Sequence, residues 1–304
     1  MNALILLYFP LRLISLQGRR TKTLATPLLH SEYIDSKIKR KICLKILKSI
    51  DGIVVSTPFE EALLKAWQID GNKIFMIGEG VHPHKYYSPK VNEIISNVVR
   101  KKYITSPCPV ILWIGRRFYG KGFHHLVLAM REVWEQLPNC KLVLIGDKVR
   151  DDKCPQETLL EVYKIFKTYK NNIIDIGVAT EELKNAFLRI SSIVVLPSKV
   201  ETIPIVFLEA WACKKPVIGV EIPTIRSIIR YHGDGGILVK FGDVHQLAMA
   251  IIQMLSDAEL YRKASEKGHV KVVSYYNWDL VVERLLNAYE RVRGDCANRT
   301  RYKM

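Results

Sequence analysis

From residue 110 onward, the apolar positions of the chain alternate between two spacings. Short runs rich in Val, Ile and Leu are separated by longer segments with an amphipathic pattern. The short runs are "VILWI" (110–114), "KLVLI" (141–145), "NIIDI" (172–176), "IVVLP" (193–197), "PVIGV" (216–220) and "GILV" (236–239). Each run is bounded by Gly, Pro or Asp, and each gap can hold a helix, which is the pattern of parallel strands joined by right-handed crossovers. The pattern therefore predicts a doubly wound α/β domain, in which ligands lie beyond the carboxyl ends of the strands.

The same pattern is shorter before residue 107. It predicts at most three strands, within 23–30, 52–56 and 73–81, with a basic helix over 36–49 and another from Phe59 to about Gln68. We expect a partial N-terminal domain at 1–88, a helix-bearing linker at 89–107 and the second α/β domain at 108–275. A C-terminal helix at 276–293 is expected to pack back toward the first domain, ahead of a tail at 294–304.

Composition narrows the class of protein. The chain has 304 residues, 48% hydrophobic and 25% charged, which fits two globular domains and excludes disordered, collagen-like and disulfide-scaffold proteins. Its six cysteines are scattered without a Cys-x-x-Cys pair, so neither a zinc site nor a disulfide framework is predicted, and a cytoplasmic location is expected. The apolar start "MNALILLYFP" is far shorter than the ~20 residues of a spanning helix, and we expect no signal peptide.

Positive charge dominates the chain, with a formal net charge of +16 that attracts phosphates, nucleic acid or an anionic membrane surface. The segment "SKIKRKICLKILKS" (36–49) alternates cations with apolar residues at helical spacing. Two interpretations remain open: a packed helix with a solvated basic face, or an interfacial helix in peripheral contact with a membrane. No segment resembles an RNA or DNA module, so nucleic acid is not an expected partner.

A glycine-rich turn, "GRRFYGKGF" (115–123), follows the first strand of the second domain and carries Arg116, Arg117 and Lys121. Glycines let a backbone approach an anion, and cations beside a helix N-terminus reinforce its partial positive charge. The turn lacks the Walker motif and the dinucleotide fingerprint. It is therefore either a phosphate site of another kind or a surface turn with solvated cations.

The stretch "ETIPIVFLEA" (201–210) places Glu201 and Glu209 around an apolar run at the end of another predicted strand. Pro204 suits the first turn of a helix, so a helix is predicted to begin near Thr202 or Ile203. A carboxylate among apolar neighbours costs several kcal/mol unless it is hydrogen-bonded, so Glu209 is expected to accept from ligand hydroxyls or backbone amides. The vicinal hydroxyls of a sugar suit this role. The alternative is that Glu209 lies exposed on the outer face of the helix.

Four ordered blocks carry a family resemblance: "ILWIGRRFYGKGFHHLVLA", "KLVLIGD", "IIDIGVATEELKNAFLRISSIVVLPSKVETIPIVFLEAWACKKPVIG" and "GGILVKFGDVHQLAMAI". They resemble the second domain of family 4 retaining glycosyltransferases, the group 1 enzymes of GT-B fold. Upstream, "DGIVVSTPFEEALLK" and "KIFMIGEGV" look like the end of the first domain of that family. The resemblance implies a complete C-terminal Rossmann-like domain and a partial N-terminal one.

Residue roles follow from this resemblance. It implies that Arg116 and Lys121 hold the diphosphate of a nucleotide sugar, Glu209 the ribose hydroxyls and Glu201 the transferred sugar. His30, in "TPLLHSEY", resembles the first-domain histidine that reaches the donor sugar, although a solvated loop histidine is the alternative. The catalytic residues implied are thus Glu201, His30, Arg116 and Lys121. Further donor contacts are expected at Gly115, Gly177, Thr202, Ile203, Ile205 and Val206.

The resemblance also implies a mechanism. The acceptor hydroxyl attacks the front face of the sugar with retention of configuration, and the departing diphosphate helps to remove its proton. Negative charge develops on this leaving group, where Arg116, Lys121 and the helix amides would stabilise it. No metal and no cofactor other than the nucleotide-diphosphate sugar donor are expected.

The sequence departs from the family pattern at two sites and in its extent. Thr202, Ile203 and Pro204 stand where the family has Gly-Phe-Gly, and Ser227 stands where a glutamate is common. The first βα units of the family and their glycine-rich loop are not matched. We expect a hexosyltransferase-type enzyme acting on a lipid-linked or polysaccharide acceptor, truncated at its N-terminus. The alternative is a non-catalytic nucleotide-sugar-binding or assembly subunit, completed by a missing N-terminal half or by a homo-oligomer.

Overall fold

The computed structural model describes residues 22–29, 37–87, 89–104, 106–147 and 153–294. These residues form two compact units. One contains the residues up to Glu79 together with those from Trp278 onward, and the other is Gly80–Asn277. The predicted boundary at 88 lies later than this division, because the segment after Gly80 is tied to the second unit. The amide of Val81 donates to the carbonyl of Tyr276 at 2.9 Å.

The first unit is built on a small parallel sheet in the order β1-β2-β3. Its elements are β1 Leu24–Ala25, helix α1 Lys37–Ser49, β2 Gly52–Val55, helix α2 Pro58–Ala66 and β3 Ile74–Met76. Helix α2 begins with a capping box, in which Thr57 and Glu60 each accept from the other's backbone amide. The three strands fall within the three predicted segments.

Helix α1 is the basic helix of the sequence, and it packs its apolar face into its own unit. Cys43, Ile46 and Leu47 are buried against a cluster that includes Ile53 and Leu64. The cations at Arg40, Lys41, Lys45 and Lys48 are exposed. The helical spacing of Cys43, Ile46 and Leu47 therefore reflects core packing, while the four cations remain solvated.

The second unit is built on a six-stranded sheet in the order β6-β5-β4-β7-β8-β9, and every neighbouring pair is parallel. Helix α3 Pro83–Tyr87 and helix α4 Pro89–Tyr103 precede it. The remaining elements in chain order are β4 Val110–Ile114, α5 Phe123–Gln136, β5 Lys141–Ile145, α6 Gln156–Thr168, β6 Ile173–Gly177, α7 Glu181–Ile190, β7 Ile193–Leu196, α8 Ile205–Ala212, β8 Val217–Val220, α9 Pro223–Arg226, β9 Gly236–Val239, α10 Val244–Ser256 and α11 Ala258–Ser274. The predicted doubly wound α/β domain is confirmed, and each of its six strands lies within one residue of the predicted run.

Two helices at the domain boundaries belong to the units they contact. Helix α4 forms within the segment predicted as a linker and packs against α7, where Arg189 Nε donates to Ser96 Oγ at 3.0 Å. Helix α12, Trp278–Arg293, lies in the first unit, where its Val281 and Ala288 are buried with Val54. Within the described ranges, every helix is too short or too polar to cross a membrane.

Strand order reverses between β4 and β7 in the second unit. The chain proceeds from β4 to β5 and β6 on one side, then returns to β7 on the other side of β4. In open α/β sheets a crevice forms at such a point, outside the carboxyl ends of the two strands. The residues that follow Ile114 and Leu196 lie at this position.

Candidate functional site

The turns that follow β4 and β7 are in direct contact. Gly122 has a left-handed φ of +69°, and a Cβ atom on it would lie 2.0 Å from the carbonyl oxygen of Pro197. Only glycine fits this approach. The amide of Lys199 also donates to the carbonyl of Gly120 at 2.8 Å. The glycine-rich turn is therefore held against the segment that leads to Glu201.

Lys121 and Glu201 form an ion pair across these two turns. Lys121 lies in a 3-10 turn over Tyr119–Lys121, and its Nζ is 2.5 Å from Glu201 Oε1. The side chains are 23% and 11% exposed, so the pair is largely shielded but open to a ligand. The Thr224 hydroxyl donates to the Glu201 carbonyl at 2.6 Å and supports the backbone there. Two residues assigned to one site from the sequence are thus in direct contact.

The neighbouring arginines have opposite environments. Arg116 is exposed, with its guanidinium 5.6 Å from the centroid of the Phe118 ring, and no described residue forms an ion pair with it. Arg117 is buried and makes a two-pronged ion pair with Asp175, in the middle of β6, with Nη1 donating to Oδ2 at 2.8 Å and Nη2 to Oδ1. Arg117 was not predicted as a site residue, and the structure gives it a role in joining β4 to β6.

The carboxyl ends of β4, β5 and β6 are hydrogen-bonded to one another beyond the strands. The amide of Gly115 donates to Ile145 at 2.9 Å, and the amide of Gly146 donates to Gly177 at 2.7 Å. The Gly177 amide donates to the Asp175 carboxylate at 3.2 Å. Because both predicted glycines, Gly115 and Gly177, have their amides engaged within the protein, they can offer a ligand close approach rather than a free amide donor.

Helix α8 begins at Ile205, later than the predicted start near Thr202 or Ile203. Pro204 is the N-cap residue rather than a residue of the first turn: its ψ of 106° is extended, and its carbonyl accepts from the Phe207 amide at 2.8 Å. The prediction was wrong because the fixed φ of proline is also compatible with the position just before a helix, and the extended ψ of Pro204 keeps it outside the first turn.

The N-terminus of α8 has free backbone donors. Among the described residues, none accepts from the amides of Ile205 and Val206. The Ile205 side chain is 40% exposed and Val206 is half-buried. Ile203, by contrast, is buried in the core, and Thr202 is half-buried. Free amides at a helix N-terminus attract anions.

Glu209, one turn into α8, is buried at 6% exposure, so the alternative of an outer-face glutamate is wrong. The Tyr86 hydroxyl donates to its Oε1 at 2.9 Å, and Lys184 Nζ lies 2.8 Å from the same oxygen. Burial lowers the pKa of Lys184, but Glu209 and then Glu181 outweigh it and raise the pKa overall. Burial and the Glu209 charge raise the pKa of Tyr86 well above its usual range, so its hydroxyl stays neutral and donates.

Tyr86 and Lys184 were not predicted from the sequence. Lys184 belongs to an ordinary amphipathic helix, and Tyr86 lies in a short polar segment, so neither position carries a local signal. His30, the predicted histidine of the first domain, lies outside the described residues. The described part of the chain contains no group of three or more His, Cys, Asp or Glu side chains able to hold a metal ion.

Comparison with known proteins identifies what the chain resembles. The family model for glycosyl transferases group 1 matches residues 97–271. N-acetyl-alpha-D-glucosaminyl L-malate synthase of Bacillus anthracis is 30% identical over 201 residues, which are 66% of this chain and 50% of that protein. The capsular polysaccharide biosynthesis glycosyltransferase CapM of Staphylococcus aureus is 22% identical over 287 residues, 92% of this chain and 70% of that protein.

Solved structures give the same fold. HepE of Anabaena in complex with UDP superposes with a TM-score of 0.78 at 16% identity, over 96% of this chain and 77% of that chain. The α/β GT-B fold with Rossmann-like sheets is thereby confirmed. The chain spans only part of its curated relatives, with 61%, 48% and 50% of the length of three of them.

Proposed function

Because the chain belongs to the group 1 glycosyltransferases, we propose that it binds a nucleotide-diphosphate sugar at the carboxyl ends of β4 and β7 and transfers the sugar to an acceptor. One observation carries the proposal. The Lys121–Glu201 ion pair lies between the glycine-rich turn and the segment that leads to the open N-terminus of α8. A cation, a carboxylate and free helix amides in one place suit a ligand that combines a diphosphate with sugar hydroxyls.

The diphosphate is assigned to the positive side of this site. Lys121 exchanges part of its contact with Glu201 for a phosphate oxygen, since a lysine ammonium has three donors on a flexible stem. Arg116 is exposed on the same turn and adds a second cation. The amides of Ile205 and Val206, which no described residue accepts from, complete the anion site, and buried Ile203 contributes through its backbone beside half-buried Thr202.

The carboxylates are assigned to the hydroxyl-bearing ends of the donor. Glu201 accepts from hydroxyls of the transferred sugar while it remains within reach of Lys121. Glu209 accepts from the ribose hydroxyls. Gly115 and Gly177 allow the nucleotide to approach the sheet closely. The predicted role of His30 at the donor sugar stays a prediction.

The transfer proceeds with retention of configuration, by front-face attack of the acceptor hydroxyl. As the bond to the leaving group breaks, negative charge builds on the departing diphosphate. Lys121, Arg116 and the amides of α8 meet this charge in a partly shielded site, where fixed dipoles lower the barrier most. These groups are proposed to neutralise the charge of the departing diphosphate, and no residue is proposed to bind a metal.

The acceptor is proposed to be a polysaccharide or a lipid-linked sugar, and the transferred group a hexose. The similarity to CapM, named for capsular polysaccharide biosynthesis, supports this class of acceptor. A cytoplasmic location at the membrane face follows as a proposal, supported by the exposed cations of α1. The contact would be electrostatic, since the apolar face of α1 is packed in the core.

A second candidate is a subunit that binds the nucleotide sugar without turning it over. It is favoured by the departure at Thr202, Ile203 and Pro204, which stand where the family has Gly-Phe-Gly beside the expected diphosphate. Glu201→Gln separates the two functions. It should abolish turnover if the chain is an enzyme, whereas a non-catalytic subunit has no turnover to lose and still assembles with its partner.

The binding proposal is tested by calorimetric titration of the full chain with UDP, GDP and ADP and with the corresponding glucose sugars. One base is expected to bind, and Glu201→Gln should weaken the nucleotide sugar several-fold relative to the nucleoside diphosphate, because only the sugar contacts Glu201. Glu135→Gln, at an exposed position of α5, serves as the matched control. Absence of binding for all six ligands at millimolar concentration would contradict the proposal.

A further inference from the structure

Glu209 presents its two carboxylate oxygens to different surroundings. Oε1 accepts from the Tyr86 hydroxyl at 2.9 Å and from Lys184 Nζ at 2.8 Å. Among the described residues, none donates to Oε2. One oxygen of the Glu209 carboxylate is thus bound by the protein, and the other is available to a ligand.

The two donors come from separate helices of the second unit. Tyr86 lies in α3, Lys184 in α7 and Glu209 in α8, and Tyr86 is itself buried at 8% exposure. The terminal torsion of a glutamate is broad, so an unrestrained carboxylate would present either oxygen. Two donors that converge on one oxygen restrict this rotation and keep Oε2 turned away from them.

Lys184 also balances charge. The side chain of Glu209 is 8% exposed and that of Lys184 is 16% exposed, so the carboxylate has a cation beside it rather than bulk water. A buried carboxylate without such a partner is strongly disfavoured. An ionised carboxylate has only acceptor sites, which is what a ribose diol, with two hydroxyl donors, requires.

From this geometry we propose that Tyr86 and Lys184 are positioning residues that make Glu209 selective for a ribose over a deoxyribose nucleotide. The inference rests on the proposed function, in which Glu209 receives the ribose hydroxyls. A site built to bind a hydroxyl rejects an analogue that lacks it, because a buried polar group is then left unpaired. The selectivity for ribose therefore depends on how well the orientation of Glu209 Oε2 is fixed.

The experiment measures the affinity ratio between a ribonucleoside diphosphate and its 2′-deoxy counterpart. The probe is whichever of UDP, GDP and ADP binds the wild-type chain, with inorganic pyrophosphate as a ligand that has no ribose. Tyr86→Phe and Lys184→Met are each expected to reduce the ratio by about tenfold, the loss of one charge-assisted hydrogen bond. Lys184→Arg, which keeps the cation, should retain most of the preference, and pyrophosphate affinity should stay unchanged in all three variants.

Matched control variants measure the effect of losing a tyrosine hydroxyl or a lysine charge elsewhere on the protein. Tyr163→Phe and Lys164→Met lie on the exposed surface of α6, where Lys164 pairs only with Glu161 among the described residues, and both should leave the ratio unchanged. Unchanged pyrophosphate affinity also shows that a variant is folded around the diphosphate site. If Tyr86→Phe fails this check, the Lys184 variants carry the test.

The outcomes separate this inference from the proposed function. If the wild-type chain binds none of the nucleotides, the proposed function fails and this inference fails with it. If Glu209→Ala abolishes the ribose preference but Tyr86→Phe and Lys184→Met keep it, only the positioning role is overturned. Tighter ribonucleotide binding by Lys184→Met would also overturn it, since Lys184 would then compete with the ribose.

Discussion

The turn after β4 supplies one cation to each of two ion pairs that differ in kind. Arg117 joins β4 to Asp175 of β6 with two hydrogen bonds, and its side chain is 4% exposed. Lys121 joins the same turn to Glu201 through one ammonium, and its side chain is 23% exposed. A planar guanidinium held at two points keeps a single partner, whereas a flexible ammonium can exchange one oxygen for another. Arg117 therefore stabilises the fold, whereas Lys121 is available to a ligand.

The largest loss of stability is expected at Gly122, which lies in the same turn as Arg117 and Lys121. Gly122→Ala places a Cβ atom 2.0 Å from the Pro197 carbonyl oxygen at a φ of +69°. We expect the second unit to lose more than about 3 kcal/mol of unfolding free energy, measured by urea titration, because backbone atoms must move.

Gly242→Ala is the control for this variant. Gly242 has a similar φ of +82°, but no atom lies within 4 Å of its added Cβ. It should cost only about 1 kcal/mol, the strain of the left-handed conformation alone. Equal losses for both variants would contradict the role of the close approach at Pro197.

The next largest loss of stability is expected for Arg117→Met, which distinguishes the role of Arg117 from that of Lys121. Arg117→Met removes one partner of a buried pair and should lower the unfolding free energy by about 2 to 3 kcal/mol, less than for a fully buried pair because Asp175 is 27% exposed. Nucleoside diphosphate affinity at a temperature where the variant is folded should stay within about threefold of wild type.

The double variant Arg117→Met, Asp175→Leu tests the origin of this loss. It removes the carboxylate left without its arginine, so it should recover part of the unfolding free energy. No recovery, or a large loss of nucleotide affinity in Arg117→Met, would contradict a purely stabilising role for Arg117.

The smallest effect on stability is expected for Lys121→Met. The pair it breaks is partly solvated, so the unfolding free energy should fall by only about 1 kcal/mol. Diphosphate affinity, in contrast, should fall by about tenfold, since one charge-assisted contact to phosphate is lost. Thermal unfolding and calorimetry on the same sample measure both quantities.

Lys65→Met provides the control for Lys121→Met. Lys65 forms a surface pair with Glu61 at 2.6 Å in the first unit, with side chains 57% and 32% exposed. Its removal should change neither diphosphate affinity nor, beyond about 0.5 kcal/mol, stability. A normal diphosphate affinity in Lys121→Met would remove Lys121 from the proposed site.

The strands of the second unit could be predicted because their environment is uniform. A parallel strand covered by helices on both faces is a continuous run of β-branched and aliphatic residues, as at 110–114 and 193–197, so the run itself marks the strand. The start of α8 could not be placed in the same way. Pro204 is compatible with two positions at a helix N-terminus, and the choice between them depends on its ψ.

By itself, the sequence determined the doubly wound sheet, the turn with Lys121, and the two glutamates around Pro204, because these features depend on local spacing. Only the tertiary structure decided which partner each charge has. The contacts of Glu209 with Tyr86 and Lys184, and of Arg117 with Asp175, join residues 123, 25 and 58 positions apart. Such pairs depend on strand order and helix packing, so a buried charge in the sequence predicts the need for a partner but not its identity.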